Sequence, residues 1–261
     1  MTWTESKPPV LEEATWSVRR RPETVLSGAE ERSLLESRLC QGLPGRVAQS
    51  MLAAGSVRRL GAGARMTRSL AAADEWFGVA QGVVKLLANT INGRQVVLSL
   101  AVAGDWFGSL PHLEDESERR LINDGETCTP VTLLAVPLDR LRTLAAREPC
   151  LTVVLAKLSH SNARRVFDMF TERVSLTAEQ RVARQIQMLV KRFGIPCEGG
   201  VRIAPYLNQQ DLANMLGASR QRVNVALKRF ERDGWLTVKA TGIEVSCAKS
   251  MAEASGLTSS Q

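Results

Sequence analysis

The apolar positions change their period along the chain, and each change marks a different kind of element. Residues 1–28 show little periodicity, hold three prolines and carry the basic run Arg19, Arg20 and Arg21, which predicts a flexible tail without a site. Two short helical patterns follow, Ala29 to Cys40 with Leu34, Leu35 and Leu39 on one side, and Pro44 to Ala54 with Val47, Met51 and Leu52. From about Val57 to Val136 the pattern shortens to apolar runs broken by glycine, and Asn92-Gly93 between two such runs predicts a hairpin turn. Regularly spaced short strands of this kind fit an antiparallel sandwich, jelly roll or barrel. The two helical patterns cap that β-domain, which the reading assigns to residues 29–147.

After Glu148-Pro149 the period becomes helical, with Leu151, Leu155, Leu158, Val166, Met169 and Phe170 apolar over more than twenty residues free of Gly and Pro. One long helix is expected over residues 148–176. Its apolar face can pack on its own domain or pair with a second copy of the chain, and the length favours a homodimer.

Residues 177–250 carry the most specific pattern. Asn208 is placed to cap a helix with Asp211 in its first turn and Leu212 and Leu216 on its buried side. Gly217 then permits a left-handed turn, Ala213 permits close approach of a second helix, and Ser219 is ready to cap that helix. The order predicts a helix-turn-helix. In the second helix Val223, Leu227 and Phe230 share one face, leaving Arg220, Gln221, Asn224 and Lys228 outward. In a major groove Arg220 suits guanine, Gln221 and Asn224 suit adenine, Val225 a thymine methyl and Lys228 a phosphate. Ser219 and Arg222 complete the expected DNA-contacting set. Beyond Asp233-Gly234, Leu236 and Val238 alternate, Ala240-Thr241-Gly242 turns, and Ile243 and Val245 alternate again, which predicts a small hairpin wing. Residues 251–261 are expected to form a second tail.

Charge sharpens this picture. The 261 residues carry a net charge of +7, and residues 177–250 hold twelve Lys or Arg against six Asp or Glu, so nearly all the excess sits in the last third. A basic domain attached to a near-neutral one is the electrostatic footprint of a partner for duplex DNA. The hydrophobic fraction of 44% and charged fraction of 23% are those of a globular protein, with no apolar run approaching a membrane span. The first residues do not read as a signal peptide, and a cytoplasmic location is expected. Five cysteines, Cys40, Cys128, Cys150, Cys197 and Cys247, form no close pair, which weighs against a disulfide framework or a paired-thiol metal site. Walker, HExxH and GxSxG motifs are missing and the two histidines stand far apart, so an enzyme is not expected.

From about Leu43 to Ala248 the layout resembles the family of the cyclic-AMP receptor protein and the fumarate-nitrate reduction regulator, the Crp/Fnr family. Three segments carry the resemblance: Gly104-Asp105-Trp106-Phe107-Gly108, Ala163-Arg164-Arg165, and Gly217-Ala218-Ser219-Arg220-Gln221-Arg222-Val223. It implies an α+β chain in which an antiparallel β-roll sensor precedes a dimerisation helix and a winged helix-turn-helix. It also implies a transcription regulator bound as a homodimer to a palindromic operator, with RNA polymerase as a partner and a small-molecule effector in the β-roll. Members that bind cyclic nucleotides carry a Gly-Glu-(Leu/Ile)-(Gly/Ala) cassette followed by Arg-Ser or Arg-Thr. Here Asp105 stands at the Glu position, bulky Trp106 and Phe107 follow, and the later pair reads Arg119-Arg120. Those departures weigh against cyclic AMP, while Gly104 to Gly108, Arg119, Arg120 and, from the long helix, Met169 remain the candidate ligand-binding residues. Cys40 and Cys128 alone cannot supply an iron–sulfur cluster, and only His112 and His160 could ligate a haem, so neither cofactor is expected. A regulator that needs no ligand, with the β-roll as dimer scaffold and polymerase contact, is the competing reading.

Overall fold

The computed structural model describes residues 25–66, 75–89, 95–108, 124–204, 206–239 and 242–256. The Asn92-Gly93 turn, Arg119, Arg120 and His112 lie outside the described residues, as do residues 1–24 of the first expected tail and 257–261 of the second.

The chain begins with helix α1 (Gly28–Leu35), where Ser27 and Glu30 form a capping box. The expected single helix to Cys40 is interrupted, because Ser37 caps a separate short helix α2 (Arg38–Gln41). Helix α3 (Gly45–Ala53) completes the cap. Strands β1 (Ser56–Leu60), β2 (Arg65–Met66), β3 (Glu75–Gln81), β4 (Val83–Asn89), β5 (Gln95–Val102), β6 (Trp106–Phe107), β7 (Asp124–Thr127) and β8 (Val131–Pro137) form two antiparallel sheets, ordered β1-β8-β3-β6 and β2-β7-β4-β5. β4 pairs with β5 on either side of the undescribed turn, from Asn89↔Gln95 to Val83↔Val102.

Strand alternation explains the layers. Phe77, Val79, Leu133 and Ala135 of the first sheet meet Met66, Val84, Leu86 and Ala101 of the second in one core. Trp76, Leu134 and Val136 point the other way, into a second core with Leu34, Met51, Leu141, Leu151 and Leu155. Strand β8 reads as a continuous apolar run because both its faces are covered. Its one interior polar residue, Thr132, donates to buried Glu30 at 2.8 Å, and Arg59 binds the same carboxylate at 2.6 and 3.0 Å. This network fixes α1 to the edge of the β1-β8 pair.

Helix α4 (Leu138–Arg147) leads into helix α5 (Pro149–Ser175) of 27 residues, roughly 40 Å long at 1.5 Å per residue. Only its first turns are buried in the chain, through Leu151 and Leu155. Helix α6 (Ala178–Phe193) follows, with a capping box between Thr177 and Gln180. Strands β9 (Gly194–Cys197) and β10 (Gly200–Ile203), helices α7 (Gln209–Leu216) and α8 (Arg220–Arg232), and strands β11 (Leu236–Lys239) and β12 (Gly242–Val245) complete the C-terminal unit. Its sheet runs β11-β12-β10-β9, so the two-stranded wing continues into a second hairpin.

The expected tail from residue 251 is corrected in part. Helix α9 (Ala248–Ala254) lies against α6, and Met251 is fully buried with Val182, Ala183 and Ile186. An apolar side chain that fills the α6 surface draws this segment into the domain. No helix among the described residues is long and apolar enough to cross a membrane.

Candidate nucleic-acid interface and sensor motif

Local sequence sets the geometry of the α7–turn–α8 unit. The Asn208 side chain accepts from the Asp211 amide at 2.8 Å, and the Asp211 carboxylate accepts from the Asn208 amide at 3.1 Å. Gly217 ends α7 in the left-handed region, φ 58° and ψ 37°, where a side chain is disfavoured. Two residues on, Ser219 caps α8 by accepting from the Arg222 amide at 3.2 Å. The short turn leaves Leu212, Ala213 and Leu216 of α7 in one core with Val223, Ala226, Leu227 and Phe230 of α8. Trp235 stacks on Phe230 with ring centroids 5.5 Å apart and carries the chain into the wing.

That packing decides what α8 presents outward. Ser219, Arg220, Gln221, Arg222, Val225 and Lys228 are exposed and Asn224 is half-buried. At 100° per residue, positions 220, 221, 224, 225 and 228 fall within about 140° of arc opposite the buried face. Among the described residues Arg220, Arg222 and Lys228 form no ion pair, whereas Arg229 is held by Glu179 at 2.9 Å and by Asp233 at 3.7 Å. Arg229 therefore braces the domain and leaves the outward cations free for a polyanion. Ser219 differs from its neighbours, because its hydroxyl is engaged in the cap. The positive end of the α8 dipole adds to the attraction for phosphate.

The residues assigned to an effector divide differently. Gly104 and Gly108, at φ 89° and 120°, bracket a tight motif. The Asp105 carboxylate accepts from the Val102 amide at 2.8 Å and pairs with Arg192 of α6. The Trp106 ring stacks on buried Trp76 at 4.7 Å, and its Nε1 donates to Ser37 Oγ at 3.3 Å. Phe107 stacks on Phe77 at 5.5 Å. Turn geometry, an ion pair and aromatic packing within the chain engage these three side chains. Met169 is exposed on α5 beside Phe167 and Phe170, in an apolar row rather than in the motif. An open groove of about 490 Å³ borders Gly104 and Asp105 and is lined on its other side by Arg32 of α1, Arg38 of α2 and the α2 cap Ser37.

Several participants escaped the sequence reading. Lys85 of β4 lies 3.1 Å from Asp211 of α7, and the Arg173 guanidinium of α5 lies against Gly217. A lysine inside the apolar run VVKLL was the visible signal for the first; nothing local marked the second. The Cys247 thiol shares a hydrogen bond with Ser250, 3.0 Å away, which lowers its pKa. Burial raises Cys40 and Cys128 instead.

Comparison with known proteins agrees with this geometry. The Crp-like helix-turn-helix domain family matches residues 180–253, and the cyclic nucleotide-binding domain family matches residues 57–148. The chain belongs to the Crp/Fnr family of transcription regulators. Its relatives include a CRP-like cAMP-activated global transcriptional regulator from Mycobacterium tuberculosis, 28% identical over 69% of this chain and 79% of the relative. A global nitrogen regulator from Nostoc is 24% identical over 66% of this chain and 77% of its own. Among solved structures, FixK2 from Bradyrhizobium japonicum is similar with a TM-score of 0.66 at 19% identity, covering 78% of this chain and 99% of that one. The c-di-GMP responsive global regulator of Xanthomonas campestris gives 0.63 at 21% identity, covering 77% and 99%. As a Crp/Fnr protein the chain is a DNA-binding transcription regulator with an effector-binding type of β-domain. Within that family plan, α7 and α8 are the two helices of the helix-turn-helix and β11–β12 the wing hairpin.

Proposed function

We propose that this Crp/Fnr regulator works as a homodimer on a palindromic operator in the cytoplasm, as a regulator and not as an enzyme. The observation that carries the reading is the outward face of α8, whose cations are unpaired among the described residues while its opposite face is buried. Arg220, Gln221, Asn224 and Val225 read base edges, and Arg222 and Lys228 hold phosphates. Pairing follows from α5. Val166, Phe167, Met169, Phe170 and Val174 are exposed along its second half, with Phe167 72% and Phe170 67% accessible. Rows of large apolar side chains on a helix are covered in a stable protein, and a second α5 supplies the matching surface. RNA polymerase is the expected further partner.

An effector other than cyclic AMP gates the protein in this reading. One observation favours the competing, ligand-independent form: Asp105, Trp106 and Phe107 are already engaged within the chain. Selection of bound sequences from a random duplex pool decides between them, run with the purified protein alone and with cyclic AMP or cyclic di-GMP added. A palindromic site that emerges only with an additive identifies a gated switch, and cyclic AMP as that additive overturns the assignment against it. A site selected equally well without additive establishes constitutive binding. Selection of no site under any condition contradicts the reading itself.

A further inference from the structure

The helix-turn-helix is seated on the β-roll of its own chain. Val83 of β4 and Leu100 of β5, which strand alternation turns away from the inter-sheet core, are buried in one cluster with Leu212, Ala213 and Leu216. Beside this apolar seat, Lys85 Nζ lies 3.1 Å from Asp211 Oδ2 and 4.0 Å from Glu126. The Lys85 and Asp211 side chains are 17% and 16% exposed. Burial works against the lysine charge, but Asp211 and Glu126 outweigh it and hold its pKa above the ordinary value. A second ion pair joins Arg192, near the end of α6, to Asp105 of the glycine-bracketed motif.

These contacts fall where DNA would be met. In a bound helix-turn-helix the first helix crosses the phosphate backbone, and helix N-termini contribute phosphate contacts. The first turn of α7 here carries Asp211, paired with Lys85, and the β4–β5 hairpin lies against the same helix. We propose that the β4–β5 hairpin and Asp105 form a latch that holds the helix-turn-helix closed against its own sensor domain, so that operator binding requires the Lys85–Asp211 and Asp105–Arg192 contacts to part. The latch rests on the DNA-binding reading above and adds the contacts that restrain it. Because Asp105 also shapes the Gly104–Gly108 turn, one residue belongs to both the sensor motif and the restraint. A rearrangement of that turn loosens the reader directly. Coupling between sites of this kind is typically about 5- to 150-fold in affinity.

Carbodiimide treatment of the full-length protein tests the contact itself. The reagent condenses an amine and a carboxylate in contact into an amide and takes up the released water as its urea. The latch predicts a Lys85–Asp211 cross-linked peptide in the free protein, diminished severalfold when the pool-selected operator saturates it. No cross-link in the free protein, or an undiminished one on the operator, overturns the proposal. Lys85→Met keeps the stem without the amine, and Arg192→Ala removes the other pair. With melting curves confirming that each is folded, both are expected to bind the operator at least about fivefold tighter than wild type without effector. Equal or weaker binding overturns the latch. A wild-type protein that selects no DNA at all sinks the DNA-binding reading and the latch with it, whereas a wild type that selects its operator and keeps the cross-link on it sinks the latch alone.

Discussion

Arg220 and Lys228 stand on the same exposed face of α8 but are expected to act in different ways. A guanidinium near the helix start can meet both acceptors of guanine, whereas an ammonium two turns further on meets a single phosphate. Arg220→Ala should relax preference at one position per half-site and lose about 1–3 kcal/mol of base discrimination. Lys228→Ala should weaken all sequences alike and make the salt dependence shallower by about one phosphate contact. Salt titrations on operator and random duplex separate the two, and equal loss on both for Arg220→Ala contradicts its role as a base reader. Glu30 is a residue of stability rather than recognition. Its pKa is lowered to about 2, chiefly by the Arg59 guanidinium, against the opposing effect of burial and with help from Ser27 and Thr132. A depressed carboxylate contributes its full stability above the ordinary value of 4.5 and loses it as pH falls towards about 2. Glu30→Gln should therefore destabilise the protein at neutral pH by about 1–3 kcal/mol. Denaturant unfolding should show the gap from wild type closing between about pH 4.5 and 2, and a pH-independent gap would contradict the assignment.

Among the elements, α5 and the α7–α8 turn connect local sequence to assembly and to reading. The second half of α5 exposes Phe167 and Phe170 on a well-formed helix, so replacing both by Glu removes an interface without removing core. Each buried Phe stabilises by about 1.5–3 kcal/mol, so the double variant should raise the dimer dissociation constant at least about 100-fold. Sedimentation velocity measures this, and an unchanged dimer would place the interface elsewhere. At the turn, Gly217→Ala forces a side chain into a left-handed conformation and against the Arg173 guanidinium. Its cost should be about 1–2 kcal/mol of stability in the C-terminal unit, read by thermal melting. The turn was legible in the sequence because caps and a glycine act over a few residues, and Asn208, Gly217 and Ser219 announce them. The long helix was legible from its period, although Phe167 and Val174 also join its exposed row. Helix α6 was missed as an element despite its capping signal at Thr177 and Gln180. The β9–β10 hairpin was missed because its strands are four residues each, too short for a period to emerge.

The molecule as a whole is a β-roll, a long helix and a winged helix-turn-helix that touch one another through few but specific contacts. Those contacts were the least legible feature. Lys85 and Asp211 are 126 positions apart, and neither has a local pattern that names the other. The sensor motif was recognised as a motif, but only the fold shows Asp105 turned to Arg192 and Trp106 to Trp76. Charge foretold the domain that meets DNA, since the basic excess and the outward face of α8 coincide. A dimer of such chains places two reading helices on one side of a duplex, one helical turn apart. Hydroxyl-radical footprinting of the pool-selected operator is the direct measurement. The account predicts two protected patches related by a two-fold centre, about 10–10.5 base pairs apart. A single asymmetric patch, or protection without sequence preference, would contradict it.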